Sequence, residues 1–137
     1  YRAGVFPIWE SSVGWRSALF QNAVSCSFYK VWSAPDNWLP SSLIAAYLRL
    51  LGAKIGKRVS FSMIPIPDYA GFDLLHIGDD AVLNASCRIH PVCLTSTCII
   101  THGHVRIGNR ARIGVVAEVR HGAHISDDAV VCAGAGT

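Results

Sequence analysis

The chain has 137 residues, of which 51% are hydrophobic and 15% are charged, and its formal net charge is +3. This is the length of one domain with enough apolar material for a core, and the charge is too small and too scattered for a nucleic-acid-binding protein. The five cysteines include no CxxC pair and no zinc-ligand spacing, so we expect a reducing, cytoplasmic location without disulfides.

Residues 1–52 are predicted to form a helical lead-in and cap. Residues 1–7 have the composition of a linker, and a helical pattern follows over residues 11–32. Its longest uncharged run, residues 17–29, is shorter than the ~20 residues that a membrane span requires, so no transmembrane segment is expected. Association with a membrane surface remains open because tryptophans lie in or beside this helix, at Trp9, Trp15, Trp32 and Trp38.

A second helix is predicted to begin at Pro40 or Ser41 and to end before Gly52, which occupies the position that commonly follows a helix. Its apolar positions are Leu43, Ile44, Tyr47, Leu48 and Leu51. Because the end of a repeat structure needs a cover, we expect this helix to close the open end of the repeats that follow.

Residues 53–137 are predicted to form a left-handed parallel β-helix. An aliphatic residue recurs every six positions at Ile107, Ile113, Val119, Ile125 and Val131, and an alanine stands four residues after each. An α-helix would place residues six apart on opposite faces, so the pattern indicates short strands in stacked coils. Gly108 and Gly114 are expected at corners that need positive φ. The repeat resembles that of hexapeptide acyltransferases, in which three units make one triangular coil.

Two segments depart from the six-residue period. The spacing from Phe61 to Ile77 is not a multiple of six, so residues 62–76 must contain an inserted loop or an irregular coil. The spacing from Ile89 to Ile107 equals three hexapeptides, which predicts one whole coil with inward positions at residues 95 and 101. Both are threonines, which are poor core residues, so an irregular coil is the alternative there. Thr137 would open another unit and Tyr1 is not a methionine, so we expect a β-helix truncated at its C-terminus, within a longer polypeptide.

Three strings carry a narrower resemblance: YLRLLGAKIGK at 47–57, FDLLHIGDDAVLN at 72–84 and VRIG at 105–108. They resemble the C-terminal β-helix module of poly-ε-lysine-synthetase-like proteins of the Pls/PosA type, which are nonribosomal-peptide-synthetase-like. The resemblance covers most of the chain. It implies that an aminoacyl group passes from a carrier protein to an acceptor amine, with a phosphopantetheine or coenzyme A thioester as donor and no tightly bound cofactor. It also implies tandem β-helices, with a homotrimer as the alternative assembly.

The chain departs from this family where a stretch like QTHLFEDR is usual. Residues 91–98 stand there instead, so the family histidine falls on Cys93 and its acidic pair on Ser96 and Thr97. Cys93 is therefore a candidate nucleophile, although its spacing from Ile89 also fits a buried, inert thiol, as does that of Cys87. A non-catalytic scaffold or interaction module is the alternative function.

Amide formation from a thioester needs a general base and donors for the oxyanion, so histidines are the residues to consider. His102 and His104 lie beside the irregular coil and are the first candidates, with exposed corner positions as the alternative. Asp73, within the family string, is a candidate to orient a histidine, with stabilisation of the inserted loop as the alternative, while His76 and His90 are weaker candidates. Corner hydrogen bonding is predicted for the acidic residues Asp79, Asp80, Asp127 and Asp128.

A basic column is predicted from the period. Arg88, Arg106 and His124 follow one another at intervals of three hexapeptides, so in unbroken register they would stack outward at ~4.8 Å and hold a phosphate or pantetheine arm. A solvated surface stripe is the alternative. A γ-carbonic-anhydrase-like protein, with three histidines on zinc, shares this fold class, but the histidine spacings fit no zinc site and no metal is expected.

Overall fold

The structure is a computed structural model, and it describes residues 4–7, 23, 40–62, 71–94 and 99–137. Of the helix predicted over residues 11–32, the structure describes Ala23 alone, which is helical; the rest lies outside the described residues. Within the described part of the chain, no helix is long and apolar enough to cross a membrane.

The described elements are one α-helix, one short 3-10 helix and thirteen strands. Helix α1 spans Ser41–Leu50 and the 3-10 helix η1 spans Phe72–Leu74. The strands are β1 (Gly4–Pro7), β2 (Lys54–Ile55), β3 (Ser60–Phe61), β4 (Leu75–Ile77), β5 (Val82–Leu83), β6 (Arg88–His90), β7 (Val92–Leu94), β8 (Ile99–His102), β9 (Val105–Ile107), β10 (Arg112–Ile113), β11 (Glu118–Arg120), β12 (His124–Ile125) and β13 (Val130–Val131).

Most strands belong to three parallel sheets. The first sheet has the order β12-β9-β4-β2, the second β13-β10-β5-β3, and the third β11-β6. The chain therefore visits the three sheets in rotation, and each passage through them is called a coil below. The protein is mainly β with parallel strands and few helices, an arrangement compatible with the predicted β-helix.

The register shows where the coils are interrupted. Along the first sheet Ile55 pairs with Ile77, Ile77 with Ile107, and Ile107 with Ile125. The last of these steps equals three hexapeptides, which is the length of a regular coil. The first step is slightly longer than three hexapeptides, which agrees with the insertion predicted within residues 62–76. The second step equals five hexapeptides, so this coil contains an insertion two hexapeptides long.

The prediction of one whole coil between Ile89 and Ile107 is wrong. Ile89 pairs with Val119, five hexapeptides further along the chain, because the chain leaves the third sheet after β6 to form a hairpin. In this hairpin β7 pairs antiparallel with β8, and Thr101 is the partner of Cys93 rather than an inward residue of a coil. Because the insertion is two whole hexapeptides long, it leaves the six-residue period unchanged. The spacing alone therefore could not distinguish an inserted hairpin from a regular coil.

Strand β1 corrects the prediction that residues 1–7 are a linker. Gly4–Pro7 pairs antiparallel with β8, in a register that sets Gly4 beside His102 and Pro7 beside Ile99. The three-stranded sheet β1-β8-β7 is called the hairpin sheet below. Its outer strand comes from the N-terminal segment, so the inserted hairpin does not stand alone.

The core consists of the inward residue of each hexapeptide and the small residue four positions later. The aliphatic members include Ile77, Leu83, Ile89, Ile107, Ile113 and Val119, all at most 4% exposed. The small members Ala81, Ala111 and Ala117 are fully buried. Each large side chain contributes about 1.5–3 kcal/mol on burial, which is too little for one coil but accumulates over the stack.

Helix α1 covers the first coil, as its apolar stripe predicts. Ile44, Ala45 and Leu48 are buried in the same cluster as the inward residues of β2 and β3. The helix ends in a Schellman motif, because the N–H of Ala53 donates to the carbonyl of Leu48 over 3.0 Å and Gly52 has φ of 99°. Gly52 therefore performs the role predicted for it.

The corners do not use the glycines that were expected to have positive φ. Gly108 and Gly114 have none; the left-handed residue stands three positions after the inward aliphatic. These left-handed residues are Arg58, Asp80, Ser86, Arg110, Val116, Gly122, Asp128 and Gly134. Gly108 is needed for a different reason, since a Cβ there would lie 2.5 Å from the backbone nitrogen of Asp127 in the next coil.

The left-handed Val116 gives a stability test. It has φ of 58° and is 63% exposed, and a β-branched residue in this region costs about 1–2 kcal/mol. Val116→Asn should raise the free energy of unfolding by about 1 kcal/mol, as measured by urea denaturation. Val115→Asn is the matched control, because Val115 is exposed without positive φ and should show no gain. Equal effects of the two substitutions would contradict the assignment of strain to residue 116.

Gly108 gives a second test, of the close approach between coils. Gly108→Ala should lower the free energy of unfolding by about 1–3 kcal/mol, since the backbone and the Asp127 carboxylate must both move. Gly136→Ala is the control, because nothing lies within 4 Å of a Cβ at residue 136, and its effect should stay within about 0.5 kcal/mol. A Gly108→Ala variant as stable as the control would show that the coils are not packed this closely.

Candidate functional site

The candidate site is a groove along the outer side of the first sheet. In each of its strands an isoleucine points into the core, and the residue before that isoleucine points outward because side chains alternate along a strand. The outward residues are Lys54, His76, Arg106 and His124. Together with the turns after these strands they line a cavity of about 500 Å³, called the basic groove below.

The register places the four outward residues in one line. Lys54 pairs with His76, His76 with Arg106, and Arg106 with His124, so neighbours are about one strand spacing, ~4.8 Å, apart at the backbone. His76 therefore lies between the side chains of Lys54 and Arg106. The parallel stacking of the coils positions these residues, since each coil brings the same position of the hexapeptide to the first sheet.

A ladder of side chain to backbone hydrogen bonds fixes the rim of the basic groove. Asp79 Oδ1 accepts from the N–H of Lys57 (2.6 Å), Asn109 Oδ1 from the N–H of Asp79 (2.9 Å), and Asp127 Oδ1 from the N–H of Asn109 (2.7 Å). Each polar side chain thus satisfies a backbone donor of the neighbouring coil. The corner hydrogen bonding predicted for the aspartates is confirmed.

Beside this ladder, the left-handed corner residues form ion pairs. Arg58 binds both oxygens of Asp80 over 2.6 Å, and Arg110 binds those of Asp128 in the same bidentate way. Hydrogen bonds from these guanidinium groups lower the pKa of both carboxyl groups. The charges of this second column are therefore matched, unlike those of the basic groove.

His76 has a partner in His104. The two ring centroids are 6.1 Å apart and the rings lie edge to face at 67°. Partial burial lowers the pKa of His76, and the nearby Lys54, Arg106 and His104 lower it further. The imidazole of His76 is consequently neutral at pH 7, with a lone pair able to accept a proton.

Arg88 does not belong to this column, which corrects the predicted set of Arg88, Arg106 and His124. Arg106 and His124 are partners in register, but Arg88 pairs with Glu118 on the third sheet. The hairpin inserted between Arg88 and Arg106 is two hexapeptides long, so the two residues lie on different sheets although three hexapeptide lengths separate them in sequence. Its neighbour Glu118 is also bound by Arg120 over 3.0 Å, so this surface is not uniformly basic.

His102 and His104 are separated although only one residue lies between them. His102 ends β8, is 8% exposed, and lies in register with Val92 of β7. Burial lowers its pKa, and the nearby Asp73 acts in the opposite direction. His104 is exposed and faces His76. The structure thus brings the predicted residues His102 and Asp73 close together, whereas His104 contacts His76 of the basic groove.

The two cysteines predicted to be buried differ. Cys87 is buried at the small inward position, and burial raises the pKa of its thiol to about 11, so it is protonated at neutral pH. Cys93 lies in β7 and is partly exposed, so its predicted interior place is wrong. It lies within electrostatic reach of Arg120, whose pKa is raised chiefly by the hydrogen bond to Glu118.

Sequence reasoning missed Lys54 and undervalued His76. The signal was present, because each precedes the inward isoleucine of the same phase, as in KIG, HIG, RIG and HIS at residues 54–56, 76–78, 106–108 and 124–126. The assumption of an unbroken spacing of three hexapeptides concealed it.

No metal site is assembled in the described part of the chain. Among these residues no group of three His, Cys, Asp or Glu side chains could hold a metal ion. The described residues therefore provide no set of ligands for the zinc site of a γ-carbonic-anhydrase-like protein.

The chain is similar to a bacterial acyltransferase-type protein. It is 30% identical over 100 residues to the "Putative acetyltransferase YvoF" of Bacillus subtilis (strain 168), which is 72% of this chain and 52% of that protein. The chain thus spans about half the length of this relative. No family model and no solved structure match the chain. The likeness agrees with the acyltransferase part of the prediction, while the narrower resemblance to poly-ε-lysine-synthetase-like modules stays a prediction.

The electrostatics of the groove give a third test. The pKa of His76, measured by NMR of its imidazole protons, should lie below 6.5 and should rise in Lys54→Gln and Arg106→Gln. The depressed pKa means that the unfolded chain binds more protons, so His76 contributes a stability that is present above pH 6.5 and is lost as pH falls through the folded pKa. Lys57→Gln, on the corner, is the control and should leave the pKa unchanged. A pKa that none of the three changes would contradict the proposed column.

Proposed function

We propose that this chain is the β-helix part of an acyltransferase that moves an acyl group from a thioester to an amine. One observation carries the proposal: in a chain similar to YvoF, His76 lines the basic groove and its imidazole faces that of His104. The hexapeptide repeat supports a left-handed coil within the same proposal.

His76 is the proposed general base. Its depressed pKa keeps it neutral, so it accepts the proton as the amine nitrogen attacks the thioester carbonyl. The new C–N bond forms a tetrahedral oxyanion, which the positive potential of the basic groove stabilises. The C–S bond then breaks, and the leaving thiolate takes the proton from the His76 imidazolium, so that an amide and a thiol are released.

His104 has a supporting role in this scheme. The His104 and His76 rings lie edge to face, and neither residue belongs to the buried core. This edge-to-face contact restricts the rotation of the His76 ring, which preserves the orientation of its lone pair. His102, at 8% exposure, is too enclosed for direct contact with an amine unless the hairpin moves, so it and Asp73 are assigned to the support of the hairpin base.

The donor in this proposal is a phosphopantetheine or coenzyme A thioester, with no tightly bound cofactor. The strings shared with poly-ε-lysine-synthetase-like modules favour an aminoacyl group on a carrier protein. A tandem β-helix half or two further copies of the chain would supply a second wall to the groove. Cys93 would act as a nucleophile only in a variant of the mechanism that passes through an acyl-enzyme.

The activity test uses release of free thiol from acetyl-coenzyme A and from an aminoacyl-pantetheine thioester, with a panel of amines. His76→Ala should reduce kcat by about 10²–10⁴-fold with little change in KM, since it removes a general base rather than a binding group. His104→Ala should cause a smaller loss. Arg112→Ala, an exposed residue of the second sheet, is the control and should retain activity.

Two outcomes would overturn the proposal. Full activity of His76→Ala together with loss in His102→Ala or Cys93→Ser would move the chemistry to the hairpin sheet. Absence of thiol release with every acceptor would favour the scaffold function, to which the replacement of the family histidine by Cys93 already points.

A further inference from the structure

We propose that the basic groove is a phosphate site that holds the doubly charged phosphate of a phosphorylated ligand between Lys54 and Arg106, across His76. Phosphorylated compounds are thereby named as the substrate class of the same groove. Their role as substrates rests on the proposed function. Binding of the phosphate is a property of the groove whether or not acyl transfer occurs.

The arrangement of donors supports a phosphate. Lys54 and Arg106 lie one rung on either side of His76, so their backbones are about two strand spacings, ~10 Å, apart. Both side chains are long and exposed, and they can converge above the shorter imidazole. An ammonium and a guanidinium on opposite sides would donate to different oxygens of one tetrahedral group. His124 extends the line by one further rung.

The balance of charge in the groove points to the same ligand. Its lining contains two permanent cations and one carboxylate, that of Asp79, and Oδ1 of this carboxylate already accepts a hydrogen bond from Lys57 N–H. The charged neighbours that shift the pKa of His76 are all basic. A cationic acceptor such as free lysine would be repelled here, whereas a ligand carrying a phosphate would be attracted. The groove therefore selects an anionic substrate.

Binding of the phosphate should be coupled to uptake of a proton. The groups that face His76 are Lys54 on β2, Arg106 and His104 on or beside β9, His124 on β12, and Asp79 on the turn after β4. A dianion bound among the cations offsets their positive potential at His76 and favours the imidazolium form. The pKa of the imidazole is therefore higher in the complex than in the free protein. Affinity then increases as pH falls between these two pKa values, by at most about tenfold per pH unit for one coupled proton.

Sulfate is the first probe, because it stays doubly charged over the pH range in which His76 titrates. Binding is followed by NMR of the His76 and His104 rings, at constant ionic strength maintained with chloride. We expect saturable shifts, tighter binding at lower pH, and a pKa of His76 that rises with sulfate. Lys54→Gln and Arg106→Gln should each weaken binding about ten- to a hundredfold, as expected for loss of a hydrogen bond from a charged donor.

The controls separate a site from general attraction. Lys57→Gln and Arg112→Gln remove equally exposed charges outside the column and should change the affinity less than twofold, while Arg106→Lys should retain most of the binding. Thermal unfolding of each variant checks that it is folded. Sulfate shifts no larger than those caused by chloride, or equal losses in column and control variants, would overturn the proposal.

Two ligand pairs then identify the source of the phosphate. Preference for phosphopantetheine over pantetheine would assign it to the donor, and preference for a hexosamine phosphate over the free hexosamine would assign it to the amine acceptor. Equal binding within both pairs would overturn the proposal. If phosphate binds but no thioester releases thiol, the phosphate site stands and the proposed acyl transfer is wrong. The failures of the two proposals are therefore distinguishable.

Discussion

The close stacking of successive coils is the constraint on which the rest of the structure depends. At the corner after the first sheet, the backbone of one coil comes so near the next that a Cβ on Gly108 would lie 2.5 Å from the nitrogen of Asp127. The same contact lets Asp127 accept a hydrogen bond from the N–H of Asn109 over 2.7 Å. Glycine and a short polar side chain are thus required together, one for space and the other to satisfy an orphaned donor.

This stacking also creates the basic groove, because it repeats one phase of the hexapeptide at each rung. Lys54 and Arg106 lie on either side of His76 in this line, and the pKa of His76 is lowered first by burial and then by these cations. The adjacent column alternates Arg58, Asp80, Arg110 and Asp128, so its charges are matched. An unmatched column beside a matched one has no benefit for stability, which favours a binding role for the basic groove.

The sequence predicted those features that depend on local phase. The inward aliphatics, the buried alanines, the end of α1 at Gly52 and the corner aspartates all follow from residues within one hexapeptide or one helical turn. The register between coils could not be predicted in this way, because it depends on the length of each insertion. The hairpin between Ile89 and Ile107 adds two hexapeptide lengths, so it preserved the apparent period while it displaced Arg88 and Thr101 from their predicted places.

The inserted hairpin also explains why two neighbouring histidines occupy different environments. His102 is the last residue of β8 and is held in the hairpin sheet, where burial disfavours its charged form. Gly103 follows, and its N–H donates to the carbonyl of Pro91 over 3.0 Å, which closes the base of the hairpin. The chain then returns to the first sheet at Val105, which leaves His104 at the edge of the basic groove beside His76. The insertion thus brings a second imidazole to a surface to which the regular repeat alone would have supplied one residue per coil. This is the physical reason for proposing that the reaction takes place there.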